Sequence, residues 1–134
     1  MINEDRLHHI YGVAKACYNI AKDRGHDENY ARKMFTVGWN HDIGYEFNAD
    51  NHAEVGANLV TGLFGTEAIK THGTIPDNIT EEWIILNYAD MTTSSKGEPV
   101  TMDERLEDIG QRYGTTNNRY ILAKQVIDYL KNYL

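Results

Sequence analysis

Helical periodicity is the feature that most limits how this chain can fold. Apolar residues recur at intervals of three and four along nearly all of its 134 residues, and no run alternates between apolar and polar side chains as a half-buried strand would. The pattern predicts an all-α protein of about six or seven helices. The expected helices span residues 5–23, 28–42, 51–64, 66–72, 80–93, 102–113 and 117–133.

Local signals support several of these boundaries. Thr101 with Glu104 and Asn51 with Glu54 have the spacing of a capping box, and residues 93–99 form the clearest loop. The last two helices carry ordinary amphipathic stripes, which we expect to be core or interface. The stripes consist of Met102, Leu106, Ile109 and Tyr113, then Tyr120, Ala123, Ile127, Leu130 and Leu134.

Size and charge restrict the classes of protein that remain. A length of 134 residues predicts one domain over residues 1–134. The net charge of −7 argues against binding to bulk nucleic acid or an anionic membrane, but it permits a small phosphorylated ligand. The single cysteine, Cys17, excludes an intramolecular disulfide. With neither a signal peptide nor a membrane span expected, the sequence indicates a cytoplasmic protein.

The six histidines are the unusual part of the composition. Because a helix turns by about 100° per residue, each histidine can be assigned to a face. His9 shares its face with Val13 and Cys17, whereas His8 lies on the opposite side with Lys15. We therefore expect His9 to point inward and His8 to lie on the surface.

The same reasoning places further ionisable residues on apolar faces. His41 and Asp42 extend the stripe of the second helix, and the other three are His52, His72 and Asp90. A buried carboxylate without a partner costs several kcal/mol, and coordination to a metal removes that cost. Imidazole and carboxylate together suit Mn, Fe, Co, Ni or Zn. A lone inward histidine is usually a satisfied core residue, but the full set favours a metal site. His26, in a loop, is expected to be solvated.

These residues also match a known pattern. Its elements are Arg6-x-x-His9, His41-Asp42-Ile43-Gly44, His52-x-x-x-Gly56, Ile69-x-x-His72 and Ala89-Asp90. In this order and spacing, the chain resembles the HD superfamily of metal-dependent phosphohydrolases, in its HDIG form. The resemblance covers residues 6 to about 92, and the remaining tail is similar to that of small bacterial or phage HD proteins.

The resemblance implies a single HD-type helical domain and a set of metal ligands. His9, His41, Asp42 and Asp90 would hold a first divalent ion. His52 and His72 would hold a second, with Asp42 as the bridge. The alternative is that His52 and His72 contact substrate phosphate or water, so one or two ions per chain remain open.

The resemblance also implies an activity, the hydrolysis of a phosphate ester or anhydride by metal-activated water. A nucleotide is the commonest substrate class of the family, although nothing in the sequence indicates recognition of a nucleobase. Asp42 and Glu46 are the catalytic candidates. Glu46 lies one residue beyond the glutamate of nucleotidase-like members, so it is an acid/base candidate or a solvated loop residue. Lys96, Arg105 and Arg112 are candidates for orienting the phosphate, or else surface charges.

Two other functions remain open at this point. A few members of the superfamily use a di-iron site with the same ligands as an oxygenase. A catalytically inactive nucleotide-binding domain is the third reading, which the intact ligand set disfavours. The sequence leaves the native metal, the substrate and the oligomeric state open, a homodimer included.

Overall fold

The described part of the chain is helical. The computed structural model describes residues 3–42, 52 and 64–134, and within them it contains six helices and a single isolated β-bridge between Thr93 and Pro99. The helices are α1 (Glu4–Asp23), α2 (Glu28–Asn40), α3 (Thr66–Thr71), α4 (Glu81–Met91), α5 (Met102–Tyr113) and α6 (Asn118–Tyr133). The prediction of an all-α protein is confirmed. No helix among these residues has the length and hydropathy needed to cross a bilayer.

The predicted helix over 51–64 falls almost entirely outside the described residues. Only His52, whose backbone is helical, and Phe64, which lies in a turn, can be compared with it. The other predicted helices occur at the expected places, and capping side chains begin most of them. Asp27 accepts a hydrogen bond from the backbone of Tyr30, and the capping box of Thr101 and Glu104 forms as predicted.

Two helices end earlier than predicted. α2 ends at Asn40 because the ring Nδ1 of His41 donates to the Gly38 carbonyl at 2.6 Å, which competes with continued helix. α4 ends at Met91, where the Thr92 and Thr93 hydroxyls donate to the carbonyls of the last turn. His41 and Asp42 therefore lie in the turn that follows α2.

α4 is the central helix of the core. Eight of its eleven residues are buried, and it contacts each of the other five described helices. A helix that is apolar nearly all round has to be enclosed by its neighbours. Asp90 lies near the end of this helix and is 8% exposed, so its carboxylate is held inside the protein.

α1 and α2 approach each other closely at a glycine. A Cβ atom added to Gly38 would lie 2.8 Å from the Cα atom of Ala14, which is too close for any side chain. The absence of a side chain at Gly38 lets the two backbones pack directly together. As a result, the imidazole rings of His9 and His41 lie with their centroids 5.4 Å apart.

Candidate metal centre

The structure brings the six predicted metal ligands together from five parts of the chain. His9 comes from α1, His41 and Asp42 from the turn after α2, and Asp90 from α4, while His72 caps the C-terminus of α3 and His52 is described on its own. They form three overlapping groups, each with ligand atoms within 4.8 Å of one another. All are buried except His52, which is partly exposed.

Backbone carbonyls fix the orientation of three histidine rings. The Nδ1 atoms of His9, His41 and His72 donate to carbonyl oxygens at 2.8, 2.6 and 2.5 Å respectively. The acceptors are the carbonyls of Ser94, Gly38 and Ile69. In neutral imidazole this leaves the Nε2 lone pair as the free acceptor or metal ligand. Each Nε2 atom faces a carboxylate, which is the arrangement in which imidazole and carboxylate could share a cation.

The first group surrounds one carboxylate oxygen each of Asp42 and Asp90. His9 Nε2 lies 2.9 Å from Asp90 Oδ1 and 3.7 Å from Asp42 Oδ2. His41 Nε2 lies 3.2 and 3.6 Å from the same two oxygens. Ligands about 2.1 Å from a shared ion are separated by roughly 3.0 Å in octahedral and 3.4 Å in tetrahedral geometry. The observed separations therefore suit a shared cation.

The second group uses the other oxygen of Asp42. Asp42 Oδ1 lies 3.4 Å from His52 Nε2 and 3.3 Å from His72 Nε2, and these two nitrogens are 3.0 Å apart. The three atoms form a nearly equilateral triangle of the size expected for ligands of one ion. Because its two oxygens face different groups, Asp42 is placed to bridge them.

His41 gives the clearest sign that a cation belongs here. Its Nε2 atom is buried, and among the described residues it has no hydrogen bond of acceptable geometry. Burial alone would lower the pKa of His41, but the negative charges of Asp42 and Asp90 nearby outweigh it and raise the pKa to about 10. A proton thus occupies the place that a divalent ion would take. The donor set of imidazoles and carboxylates fits such an ion.

The pKa values of the two carboxyl groups respond in the complementary direction. Burial would raise the pKa of Asp42, but His41 and His72 hold it well below its usual range. Burial acts in the same way on Asp90, and His41 and His9 likewise lower its pKa. Both side chains are therefore charged at neutral pH, as metal ligands must be.

Comparison with known proteins adds no family to this picture. No protein-family model, curated protein or solved structure matches the chain significantly. The interpretation of the centre accordingly depends on its geometry and on the residues that surround it.

A cavity of about 340 Å³ opens onto the centre. Its size lies within the range of small-molecule sites. Five of the six candidate ligands and four arginines line it, together with residues of α5 and α6. Its lining includes Arg6, His9, Asp42, His52, His72, Asp90, Ser95, Arg105, Ile109, Arg112, Tyr113, Asn118, Arg119, Leu122 and Ala123.

Of the predicted phosphate-orienting residues, two line the cavity. The Arg105 side chain is largely buried, and its Nε atom donates to the Asp90 carbonyl at 3.4 Å. Arg112 lies farther along α5. Lys96 is exposed on the 93–99 loop and is not among the described lining residues. Glu46 lies outside the described residues, so its role as an acid/base stays a prediction.

The cavity lining also includes residues that were not predicted as site residues, among them two arginines and a tyrosine. Arg6 Nη1 donates to Asp42 Oδ2 at 3.0 Å, and its position three residues before His9 on one helix face was the signal that could have indicated it. Tyr113, expected in the core or an interface, is 41% exposed and lines the cavity. Arg119 donates to the Tyr113 hydroxyl at 3.0 Å, across a turn that helical periodicity does not describe.

The 93–99 loop packs on α1 and orients one of the candidate metal ligands. The Ser94 carbonyl orients His9, and Gly97, at φ +86°, packs directly on the backbone of α1. A Cβ atom on Gly97 would overlap the His8 carbonyl, and one on Gly12 would lie 2.7 Å from the Gly97 oxygen. Gly97 therefore sets both the conformation of the loop and its distance from His9.

Gly97→Ala should lower both protein stability and metal affinity. The positive φ costs about 1 kcal/mol, and the overlap with the His8 carbonyl adds to it, so we expect a loss of about 2–3 kcal/mol in unfolding free energy. Gly25→Ala is the matched control, because Gly25 has φ +94° but open space around its Cβ position. Chemical denaturation and metal titration of both variants measure the difference. Equal stability in the two variants would contradict this account of the loop.

His9→Ala should abolish tight metal binding, whereas His8→Ala should not. The predicted helix phase is confirmed, since the His9 side chain is 1% exposed and the His8 side chain is 57% exposed. A surface substitution usually changes stability by less than about 0.5 kcal/mol. Metal titration of the two neighbouring variants gives the comparison, and equal loss in both would refute the assignment of His9 as a ligand.

Proposed function

We propose that the protein hydrolyses a phosphate ester or anhydride in this cavity. The proposal is carried by one observation: a His/Asp cluster with the spacing of metal ligands and several arginines share the same cavity. Metal ligands and guanidinium groups together are the usual means by which proteins bind and activate a phosphoryl group. The resemblance to HD phosphohydrolases points in the same direction, and a nucleotide remains the leading substrate class.

The metal would be held by His9, His41, Asp42 and Asp90, with His52 and His72 available to a second ion through Asp42. When bound, such an ion lowers the pKa of water to supply hydroxide near neutral pH and offsets negative charge on phosphoryl oxygens. Mn, Fe, Co, Ni and Zn are all compatible with this donor set.

The arginines next to the carboxylates would bind and orient the phosphoryl group. Arg6 contacts Asp42 at 3.0 Å, and Arg105 Nη2 lies 4.0 Å from Asp90 Oδ1. In the absence of metal, each guanidinium offsets carboxylate charge. With a divalent ion balancing that charge, the guanidinium groups would be available to donate to phosphoryl oxygens. Asp42 has a positioning role as well, because its two oxygens fix the relative placement of the two ligand groups.

A panel of nucleotides and simple phosphoesters, assayed for phosphate release with Mn, Co, Ni, Fe and Zn, tests the proposal. We expect metal-dependent release that chelation abolishes, together with metal in the untreated protein. The same assay repeated under nitrogen tests the alternative that the protein is an oxygenase, because an oxygenase requires O₂. Metal binding without hydrolysis of any member of the panel would count against a phosphohydrolase, and oxygen-dependent turnover would replace it with the oxygenase.

Replacing His72 by alanine should remove one ion and leave the other. His72 Nε2 lies 3.3 Å from Asp42 Oδ1, while His9 and His41 face Oδ2. We expect metal content to fall from two ions to one per chain and activity to fall at least about tenfold. Metal analysis at saturation measures the stoichiometry. One ion per chain in the wild type, with full activity, would instead favour His52 and His72 as contacts for substrate or water.

A further inference from the structure

The distribution of arginine and lysine around the cavity is uneven. The chain has six arginines and seven lysines, and all of them lie in the described part of the sequence. Four of the arginines line the cavity, whereas none of the lysines does. In a chain of net charge −7, this concentrates positive charge in one place. Arginine differs from lysine in presenting a planar fork that matches phosphate and carboxylate groups.

The four arginines divide into two pairs. Arg6 and Arg105 lie beside the carboxylates of the metal centre, as described above. Arg112 and Arg119 instead contact other residues near the cavity wall. Arg112 Nη2 donates to Ser95 Oγ at 2.6 Å and its Nε lies 3.1 Å from Asp108 Oδ2, while Arg119 stacks over the Tyr113 ring at 4.8 Å. The second pair therefore lies on the part of the cavity wall formed by the 93–99 loop, α5 and the start of α6, which we call the distal end.

We infer that the substrate carries a second anionic group, which Arg112 and Arg119 bind while its phosphoryl group lies at the metal centre. The substrate is thus a phosphate compound with a further phosphate or carboxylate elsewhere in the molecule. This inference rests on the proposed function for the identity of the first group. The distal contacts themselves are independent of it.

Arg112 has the donors that this role requires. A guanidinium group has five N–H donors, and the contacts with Ser95 and Asp108 occupy one side of it. The side chain is 46% exposed and lines the cavity. Asp108 also lies 4.0 Å from Arg105 Nη1, and this shared carboxylate holds the two guanidinium groups near each other.

The 93–99 loop contacts both the metal centre and Arg112. The Ser94 carbonyl orients the metal ligand His9, and the next residue, Ser95, holds Arg112. Two adjacent residues of one loop therefore position both binding regions. A site of fixed separation favours a ligand whose two anionic groups have a matching separation, because the binding regions need no rearrangement.

Apolar side chains complete the wall. Ile109, Leu122 and Ala123 line the cavity together with the Tyr113 ring, and they suit the uncharged part of a molecule that joins two anionic groups. The first turn of α6 adjoins this end, contains Arg119 and has no acidic residue. Its helix dipole adds to the positive potential that the arginines create.

The test compares ligands with one and two anionic groups on matched scaffolds. Adenosine 5′-monophosphate is compared with adenosine 3′,5′-bisphosphate, and glycerol 3-phosphate with 3-phosphoglycerate, in which the second group is a carboxylate. Calorimetry on metal-free protein measures binding without turnover, and steady-state kinetics on metal-loaded protein separate KM from kcat. The variants are Arg112→Ala and Arg119→Ala, with Arg32→Ala, an arginine far from the cavity and 75% exposed, as control.

In at least one pair we expect the compound with two anionic groups to bind more tightly than its partner with one. Each cavity variant should weaken binding of that compound, and raise its KM, by roughly ten- to a hundredfold, the usual worth of a charge-assisted hydrogen bond, without changing kcat. Binding of the compound with one anionic group should be unaffected by these variants, and the Arg32→Ala variant should behave like the wild type. The pair that shows the effect tells whether the second group is phosphate or carboxylate.

Two outcomes separate this inference from the proposed function. In the first outcome, the protein hydrolyses its substrates with no preference for a second anion, or the variants affect both members of each pair equally. This result would overturn the inference but leave the proposed phosphohydrolase activity standing. In the second outcome, the protein prefers compounds with two anionic groups, and Arg112→Ala and Arg119→Ala both abolish that preference, but no compound is hydrolysed. This result would support the distal site and contradict the proposed phosphohydrolase activity. Loss of metal affinity in both variants would also overturn the inference, because the arginines would then act on the centre itself.

Discussion

Asp42→Ala should abolish metal binding and lower kcat/KM at least about a thousandfold, which corresponds to roughly 4 kcal/mol of transition-state stabilisation. Among the residues that the structure describes, Asp42 is the one whose two oxygens face both groups of histidines, at 3.2 Å from His41 Nε2 and 3.3 Å from His72 Nε2. Its loss removes a ligand from each group. It also leaves Arg6 without the carboxylate that it contacts at 3.0 Å.

Metal analysis by mass spectrometry and a phosphate-release assay measure these effects. Asp23→Ala is the matched control, since Asp23 is an exposed aspartate at the end of α1. We expect this control to behave like the wild type in both measurements. Full metal occupancy in Asp42→Ala would refute the assignment of the centre, whatever the activity of the variant.

Chelation should lower the melting temperature by roughly 10 °C near neutral pH, and the difference should widen as the pH rises. Binding at 100 times the dissociation constant adds about 2.7 kcal/mol, and for a chain of this size that corresponds to roughly 10 °C. The candidate ligands come from five separate parts of the chain, so the ion would connect most of the described fold. Without it, the positively charged His41 is what separates the carboxylates of Asp42 and Asp90.

The direction of the pH effect follows from His41. Its pKa is raised to about 10 in the metal-free protein from an ordinary value of 6.5, so its protonation stabilises the fold fully below pH 6.5. That contribution is lost as the pH rises towards 10. Asp42 and Asp90 stay charged throughout this window because their pKa values are lowered. Metal binding, in contrast, strengthens with pH because the ion displaces the proton.

Thermal denaturation of chelated and metal-loaded protein at about pH 6.5 and about pH 9 measures the effect. The Asp42→Ala variant provides the control, since chelation should change its melting temperature little at either pH. A chelated wild type that melts at the same temperature as the loaded protein, or a difference that narrows with rising pH, would contradict a metal centre in the core.

The helices and the inward faces could be predicted because both follow from local periodicity. The opposite environments of His8 and His9 required only the 100° turn of a helix. The same rule brought His41, Asp42 and Asp90 to buried positions before any tertiary contact was known. The ends of α2 and α4 were misjudged by about two residues, because side chains of His41 and Thr93 bond to carbonyls that a longer helix would have used.

Contacts between distant parts of the chain could not be predicted in this way. His26 was expected to be solvated, but it pairs with Glu81 at 2.6 Å, across 55 residues, and stacks on Tyr30. The exposure of Tyr113 in the cavity likewise depends on how α5 and α6 pack rather than on either helix alone. Periodicity defines which face of a helix is apolar, but not which part of that face borders a cavity.

The close approach of α1 and α2 ties the residues at positions 14 and 38 to each other. A Cβ atom at position 38 would meet the backbone Cα and N atoms of Ala14, so the absence of a side chain at 38 is what permits the approach. In related chains we therefore expect glycine at 38 whichever small residue lies at 14. A side chain at 38 would push the two helices apart, moving His9 away from His41 and enlarging the space for an ion between them. The spacing of α1 and α2 would therefore limit the radius of a cation that His9 and His41 can share.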